Sequence, residues 1–270
     1  MPTPSDSSFR DPSGYVYRDE SGVIYRSVSQ SYRENYENLM QSGLYKALVE
    51  KGCLVQHQEV EPEAGHILSF TLQPEEVQLV SYPYEWSFSQ LKDAALLTLE
   101  IQSEALKYGM SLKDASGYNI TFHKGKPIFI DTLSFEKLQE AQPWAAYKQF
   151  CQHFLAPLAI VAHRSPELIK LLQSNLDGVP LTLASKLLPP KSFFSLGLLL
   201  HLHLHAKAQQ KLSKKNASSK TRRMTSQQNV LHLVSSLKGT INSLSWQPDK
   251  TVWANYYSLS HNYSDASMRH

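Results

Sequence analysis

Residues 87–131 constrain the fold more than any other part of the sequence. Ser87-Phe-Ser-Gln90 matches a capping box, and apolar residues then recur at helical spacing as far as Tyr108, where Gly109 ends the helix. A polar loop follows, and two apolar runs at 120–122 and 128–130 predict a tight hairpin that leads into Asp131. Because the helix has a wide apolar face, we expect other elements to cover it at the centre of a domain.

The residues on either side of this segment predict an α+β fold. Ser31-Tyr-Arg-Glu34 matches a second capping box, which should open a helix to about Lys51, with Gly43 as a candidate break. Aromatic and β-branched runs predict strands at 14–18, 23–28, 54–60, 67–72 and 77–82. Helical patterns follow at 144–161, 166–174, 194–210 and 230–244. The prediction is a small antiparallel sheet with one helix, followed by a mainly helical lobe.

Composition divides the chain into five predicted parts. Residues 211–228 contain Lys, Arg, Ser, Gln and Asn with hardly an apolar residue, which is typical of a linker. The parts are a disordered lead (1–13), a small β-rich lobe (14–84), a helical lobe with the candidate site (85–210), the basic linker (211–228) and a lead-in to a domain not present in this chain (229–270).

Charge, cysteine content and hydropathy narrow the class of protein. A formal net charge of +3 does not by itself imply a nucleic-acid partner. Cys53 and Cys151 show no metal-ligand spacing and no disulfide framework. The first ten residues lack the apolar core of a signal peptide, and the longest apolar run is too short to span a membrane. We therefore expect a cytoplasmic protein with no membrane partner.

One constellation carries recognisable chemistry. Asp114 is followed by Asn119 five residues later, and Asp131 follows the predicted hairpin. Phosphoryl transfer uses these groups, with one Asp accepting the proton of the attacking hydroxyl and with Asn and a second Asp holding the metal that bridges the nucleotide phosphates. The alternative is structural, because Asp and Asn also cap turns and satisfy loop backbone groups.

The element order around this loop resembles that of the superfamily of protein kinases and small-molecule phosphotransferases. The resemblance implies a two-lobed kinase-like architecture, Asp114 as the catalytic base, Asn119 and Asp131 as metal ligands, and Mg²⁺ with ATP as cofactors. Lys113 stands where kinases have an Arg, and no Gly-rich phosphate loop is present. Arg26 with Glu34 or Glu37 is the nearest substitute for the strand Lys and helix Glu, and Tyr82 and Tyr84 fall where a kinase-like hinge would hold adenine; inter-lobe packing is the alternative for these two rings.

A second resemblance covers nearly the whole chain. Ser42-Gly-Leu-Tyr45, Tyr82-Pro-Tyr-Glu-Trp86, Leu112-Lys-Asp-Ala-Ser-Gly-Tyr-Asn119 and Phe129-Ile-Asp-Thr-Leu-Ser-Phe135 resemble the N-terminal region of a bacterial family of class I SAM-dependent methyltransferases, some of them nodulation-type proteins. In that family a SAM-binding domain follows the segment that Trp253-Ala-Asn-Tyr-Tyr257 resembles. The sequence contains no Asp/Glu-x-Gly-x-Gly motif, so SAM binding is expected only from a further domain, in cis or in trans.

Three functions follow as alternatives. The first is an accessory, substrate-recognition region of a methyltransferase-family protein, acting on a small molecule that the sequence does not identify. The second is Mg-ATP-dependent phosphoryl transfer through Asp114, Asn119 and Asp131. The third is a kinase-like binding module without catalysis.

Two weaker patterns favour structural roles over chemistry. His201, His203 and His205 alternate with Leu, and positions 201 and 205 share a helix face that could ligate a metal, but no further ligand completes the set. The basic run at 207–223 could bind nucleic acid or anionic lipid, but it lacks interleaved aromatic residues and is typical of a solvated linker.

Overall fold

A four-stranded antiparallel sheet forms the N-terminal part of the computed structural model, which describes residues 12–61, 70–139, 142–208 and 226–247. The strands are β1 (Val16–Arg18), β2 (Ile24–Val28), β3 (His57–Val60) and β4 (Phe70–Pro74), in the order β1-β2-β4-β3. Tyr17 pairs with Tyr25 across the predicted hairpin, which is confirmed. The strand predicted at 77–82 is wrong, because Ser81 N–H donates to the side-chain Oγ1 of Thr121 (3.0 Å) and these residues join no sheet.

The helix predicted after the first hairpin is divided into two. A 3-10 turn (Gln30–Tyr32) precedes α1 (Arg33–Gln41), and α2 (Leu44–Glu50) follows Gly43, whose φ of 86° breaks the helix. The capping box predicted at Ser31 and Glu34 does not form. Ser31 Oγ instead contacts Ser29 Oγ (2.8 Å) and donates to the carbonyl of Pro12 (3.4 Å), so a more distant segment takes the hydroxyl.

The long helix α3 (Phe88–Lys107) begins and ends as predicted. Ser87 Oγ accepts from Gln90 N–H (3.3 Å), Gln90 Oε1 accepts from Ser87 N–H (2.9 Å), and Gly109 follows the last turn with a φ of 68°. The last described helix, α9 (Gln227–Ser243), lies antiparallel along α3. Gln227 Nε2 donates to the carbonyl of Leu106 (2.6 Å) at one end, and Lys92 Nζ donates to the carbonyl of Leu244 (2.8 Å) at the other.

Two small two-stranded sheets frame the candidate site loop. β5 (Met110–Leu112) pairs with β8 (Phe135–Lys137), and β6 (Ile120–His123) pairs with β7 (Lys126–Phe129) in the predicted hairpin. Backbone hydrogen bonds join Phe129 to Cys53 and Val55, each at 2.9 Å. These bonds tie the hairpin to the segment that enters β3, so the loop between β5 and β6 is fixed against the N-terminal sheet.

The C-terminal half consists of short helices. α4 (Tyr147–Phe150) continues through a π-helical segment (Cys151–Leu155) into α5 (Ala156–His163). Pro157 has no N–H for an i→i−4 bond, which accounts for an irregular ladder at this point. After α6 (Leu171–Ser174) comes α7 (Leu181–Leu187), which was not predicted, and α8 (Leu196–Leu198) continues as a second π-helical segment (Leu199–Leu204).

One hydrophobic core runs through the described part of the chain. It contains Leu39, Leu44 and Leu48 of α1 and α2 together with residues of α3, α5, α7 and α9, and a smaller cluster around Tyr36 and Leu133 lies against the sheet. The fold is therefore α+β, as predicted. Within the described ranges, no helix is both long and apolar enough to cross a bilayer. The predicted lead is described only from Pro12, the predicted linker only from Ser226, and the predicted lead-in only as far as residue 247.

Candidate functional site

The loop between β5 and β6 holds Asp114 by local hydrogen bonds. Asp114 Oδ1 accepts from Ser116 N–H (2.8 Å), and the Ser116 carbonyl accepts from Asn119 N–H (3.2 Å). Gln149 of α4 reaches in from outside the loop, since its Oε1 accepts from Ala115 N–H (2.8 Å). The conformation of the loop is therefore stabilised both by hydrogen bonds within its own turn and by α4.

Asp131 and Asn119 are joined by a residue that sequence reasoning missed. Ser134 Oγ donates to Asp131 Oδ2 (2.6 Å) and accepts from Asn119 Nδ2 (3.0 Å). Leu133 N–H donates to the other Asp131 oxygen, Oδ1 (3.2 Å), so Asp131 caps the 3-10 turn Thr132–Ser134. An Asp followed three residues later by Ser is a common turn pattern, and it could have indicated this arrangement.

Arg26 brings the N-terminal sheet to this cluster. Its Nη2 lies 2.9 Å from Asp131 Oδ1, and each of the two side chains is only 17% exposed. The predicted pairing of Arg26 with Glu34 is corrected by this geometry. Glu34 is exposed at the start of α1, and its Oε1 lies 4.0 Å from Lys137 Nζ, while Glu37 pairs with Arg33 (2.7 Å).

Lys113 precedes Asp114 but its side chain points toward the N-terminal segment. Lys113 Nζ lies 4.4 Å from the ring centroid of Tyr32 and donates to Ser13 Oγ. Ser13 is itself buried, and its carbonyl accepts from Ser29 N–H (2.8 Å). Of the predicted site residues, Asp114, Asn119, Asp131 and Arg26 therefore lie together, whereas Lys113 lies beside Tyr32 and Ser13 and Glu34 lies apart from both.

Burial is the main influence on the charge of Asp114. It raises the pKa of this carboxyl above its ordinary value, and the nearby negative charge of Asp131 raises it further. The hydrogen bonds from Ser116 N–H and from the amides of Gln149 and Asn119 act in the opposite direction. A raised pKa is a feature that suits a general base working near neutral pH.

Tyr82 and Tyr84, predicted at a kinase-like hinge, form a stacked pair beside the loop. The rings of Tyr82 and Tyr84 lie 5.6 Å apart at an interplanar angle of 16°, and Tyr118 of the loop lies 6.2 Å from Tyr82. Tyr118 in turn contacts His153 edge to face at 6.0 Å. Gly117 allows the loop to pack against Pro83, which lies between the two tyrosines, because a Cβ at Gly117 would lie 2.9 Å from Pro83 Cγ. Tyr118 and His153 were not predicted as part of the site.

The oxygen donors at this site do not fit a divalent cation as they are arranged. Both Asp131 oxygens already accept hydrogen bonds, and the guanidinium of Arg26 supplies the positive charge that a metal would supply. Asn119 directs its amide nitrogen, and not its oxygen, toward Ser134. Among the residues that the structure describes, no group of three or more His, Cys, Asp or Glu side chains could hold a metal ion.

The histidines of the second π-helical segment serve in packing. His201 contacts Tyr147 OH through Nδ1 (2.9 Å) and Ser236 Oγ through Nε2 (2.8 Å). His203 contacts Ser185 and Ser192 through its two ring nitrogens (2.8 and 2.9 Å).

Cys151 is fully buried, and burial raises the pKa of its thiol, which disfavours the nucleophilic thiolate.

Comparison with known proteins finds one informative similarity. No protein-family model matches the chain. The chain is similar to Nodulation protein NoeA of Rhizobium meliloti (strain 1021), with 36% identity over an alignment of 213 residues that covers 75% of this chain and 43% of that protein. The chain thus spans less than half the length of this relative.

Proposed function

We propose that this chain is the substrate-recognition region of a nodulation-type protein of the SAM-dependent methyltransferase family, and that it binds a ligand without transferring a phosphoryl group. The similarity to a nodulation protein supports the nodulation-type part of this proposal. Methyl transfer would be carried out by another domain, which would also bind SAM. This chain would hold the small molecule that receives the methyl group.

The order of elements supports a kinase-like ancestry for this region. An antiparallel sheet with α1 against it is followed by a connector, the buried helix α3, a short strand, the Asp114 loop, a hairpin and Asp131. β5 and β8 pair on either side of the loop and hairpin, and Asp131 is close enough to Asp114 for its negative charge to act on that carboxyl. This sequence of elements delivers the groups that phosphotransferases use.

The ion pair between Arg26 and Asp131 carries the proposal that catalysis is absent. A cation is already in contact with the carboxylate that would bind magnesium, and both partners are mostly buried. Displacing Arg26 would leave a guanidinium without its carboxylate, which is costly in a buried site. Ligand binding at this site is therefore expected to be independent of magnesium, with the stacked Tyr82 and Tyr84 rings offering a flat surface to a ring of the ligand.

Thermal unfolding with Mg-ATP, with ATP and EDTA, and with SAM tests the proposal. A ligand at a hundred times its Kd adds about 2.7 kcal/mol to the free energy of unfolding, so a real site is visible. We expect no shift with SAM, and we expect any shift with ATP to be the same with magnesium as with EDTA. Replacing Tyr82 and Tyr84 together with Ala should abolish a shift of that kind.

Phosphoryl transfer is the second candidate, and the half-buried Asp114, whose carboxyl interacts with Asn119 and Asp131, favours it. A stabilisation by ATP that needs magnesium and disappears in Asp131→Asn would establish this candidate in place of ligand binding without catalysis. Asp93→Asn, on the outer part of α3, is a matched control, because it removes one carboxylate away from the cluster.

A further inference from the structure

The turn before α8 and the helix that follows it expose an unusual number of large apolar side chains. Phe194 is 92% exposed and Leu196 69%, and Phe193, Leu200 and Leu204 are also exposed. Leu196, Leu200 and Leu204 recur every four residues, whereas Leu198 and Leu202 of the same helix are fully buried. The exposed leucines therefore form one stripe that runs on from Phe194, and we call these five residues the apolar stripe.

Positive charge surrounds the apolar stripe. Lys191 lies in the same 3-10 turn as Phe193 and Phe194, and Lys207 Nζ lies 5.9 Å from the ring centroid of Phe193. Arg164 Nε donates to the carbonyl of Leu187 (2.7 Å), and both Arg164 and Lys191 act electrostatically on His163, so these two cations lie in the same region of the fold. Residues 178–248 contain ten Lys or Arg and no Asp or Glu, so the charge in this stretch of sequence has one sign.

We propose that the apolar stripe, with Lys191, Lys207 and Arg164 around it, is a docking surface for an anionic lipid bilayer. Phe and Leu side chains would enter the boundary between headgroups and acyl chains, and the cations would remain at the level of the lipid phosphates. This attachment lies in the plane of the interface and needs no membrane-spanning helix. It differs from the expectation of no membrane partner that the sequence suggests.

The chemistry of the surface distinguishes a bilayer from two other occupants. Nucleic-acid sites combine cations with aromatic rings on which bases stack, but three of the five residues here are leucines, which offer no stacking face. A second copy of the chain would bring the same cations together, and like charges oppose such contact. An anionic bilayer is complementary to both the apolar and the charged groups.

Sedimentation of the intact chain with vesicles tests this inference. We expect binding to vesicles of phosphatidylcholine mixed with phosphatidylglycerol and much weaker binding to phosphatidylcholine alone. The double variant Phe194→Ser with Leu196→Ser should lose about tenfold or more in partition coefficient, because two large apolar groups no longer enter the bilayer. Lys191→Gln and Lys207→Gln should each lose about fivefold, and added salt should weaken binding of the parent chain.

Matched controls distinguish binding through the apolar stripe from nonspecific binding of exposed side chains to vesicles. Leu79→Ser removes a leucine that is 73% exposed between β4 and α3, and Lys46→Gln removes an exposed lysine on α2. Both variants should bind vesicles like the parent chain. Because all of the substituted side chains are exposed, the midpoint of thermal unfolding should be the same in every variant as in the parent chain. Equal binding by Phe194→Ser with Leu196→Ser and by Leu79→Ser would overturn the inference. So would failure to bind anionic vesicles, binding to DNA or RNA in their place, or concentration-dependent dimerisation that the double variant abolishes.

Discussion

The ion pair between Arg26 and Asp131 determines the charge balance of the candidate site. The two residues are 105 positions apart in sequence, and each has only 17% of its side chain exposed in the folded chain. Asp131 also accepts from Leu133 N–H and Ser134 Oγ, so the removal of Arg26 would leave a carboxylate with dipolar partners but no opposite charge. The site should therefore be sensitive to the loss of this one cation.

We predict that Arg26→Gln lowers the free energy of unfolding by about 2 to 3 kcal/mol, because it leaves one charge of a mostly buried pair uncompensated. Urea unfolding followed by circular dichroism measures this change. Arg18→Gln is the matched control, since Arg18 and Glu76 form an exposed pair at 3.6 Å with 57% and 67% of their side chains in solvent. That variant should change stability by about 0.5 kcal/mol or less. Equal effects of the two substitutions would show that Asp131 does not depend on Arg26.

At the scale of elements, α8 and α9 pack so closely that one glycine is required. A Cβ at Gly197 would lie 2.0 Å from Thr240 Oγ1 and 2.7 Å from its Cγ2, and the Thr240 hydroxyl is engaged with the Ser236 carbonyl (2.8 Å). Gly239 precedes Thr240 in α9 but faces open space, with nothing within 4 Å of an added Cβ. The absence of a Cβ is therefore required at Gly197, where α8 and α9 are in contact, but not at Gly239.

Gly197→Ala and Gly239→Ala should have opposite effects on stability. Gly239→Ala should raise the free energy of unfolding by about 0.5 to 1 kcal/mol, because Ala favours the helix and limits the unfolded chain. Gly197→Ala should lower it by about 1 to 2 kcal/mol, because the clash with Thr240 outweighs that gain. Thermal and urea unfolding measure both. A stabilised Gly197→Ala variant would mean that α8 and α9 are further apart than the structure has them.

For the whole molecule, buried histidines predict sensitivity to acid. Burial lowers the pKa of His57, which contacts Tyr36, to about 4, and it lowers the pKa of His153 to about 4 as well. Between pH 6.5, where the unfolded groups titrate, and pH 4, the unfolded chain binds more protons than the folded chain. The contribution of these two histidines to the free energy of unfolding is therefore full above pH 6.5 and is lost as the pH falls toward 4. Asp114 and Glu136, with raised pKa values, contribute in the opposite sense.

The free energy of unfolding should fall by about 2 to 5 kcal/mol between about pH 7 and pH 4.5, because the two histidines must stay neutral in the fold. Urea titrations at the two pH values measure the change. Replacing His57 and His153 together with Gln should reduce the difference between the two pH values, whatever the stability of the variant at pH 7. An unchanged difference would assign the acid sensitivity to other groups.

Local patterns in the sequence determined the elements that depend on near neighbours. The capping box at Ser87 and Gln90, the glycine that ends α3 and the hairpin of β6 and β7 form as predicted, because the groups that satisfy one another lie within a few residues. The step from Asp114 to Asn119 and the hairpin before Asp131 likewise bring these three side chains together.

Where a side chain binds a partner that is distant in sequence, only the tertiary structure showed which partner it binds. Ser31 matches the same cap pattern as Ser87, but the carbonyl of Pro12 takes its hydroxyl. Arg26 was expected to face α1 and in fact neutralises Asp131, which changes a candidate metal site into an internally paired one. A partner far away in sequence leaves no periodicity or spacing to read, because its contact exists only once both elements are packed. The sequence by itself therefore determined that Asp114, Asn119 and Asp131 lie near one another at this loop. The packing of β2 against the loop decided that Arg26 balances the charge of Asp131.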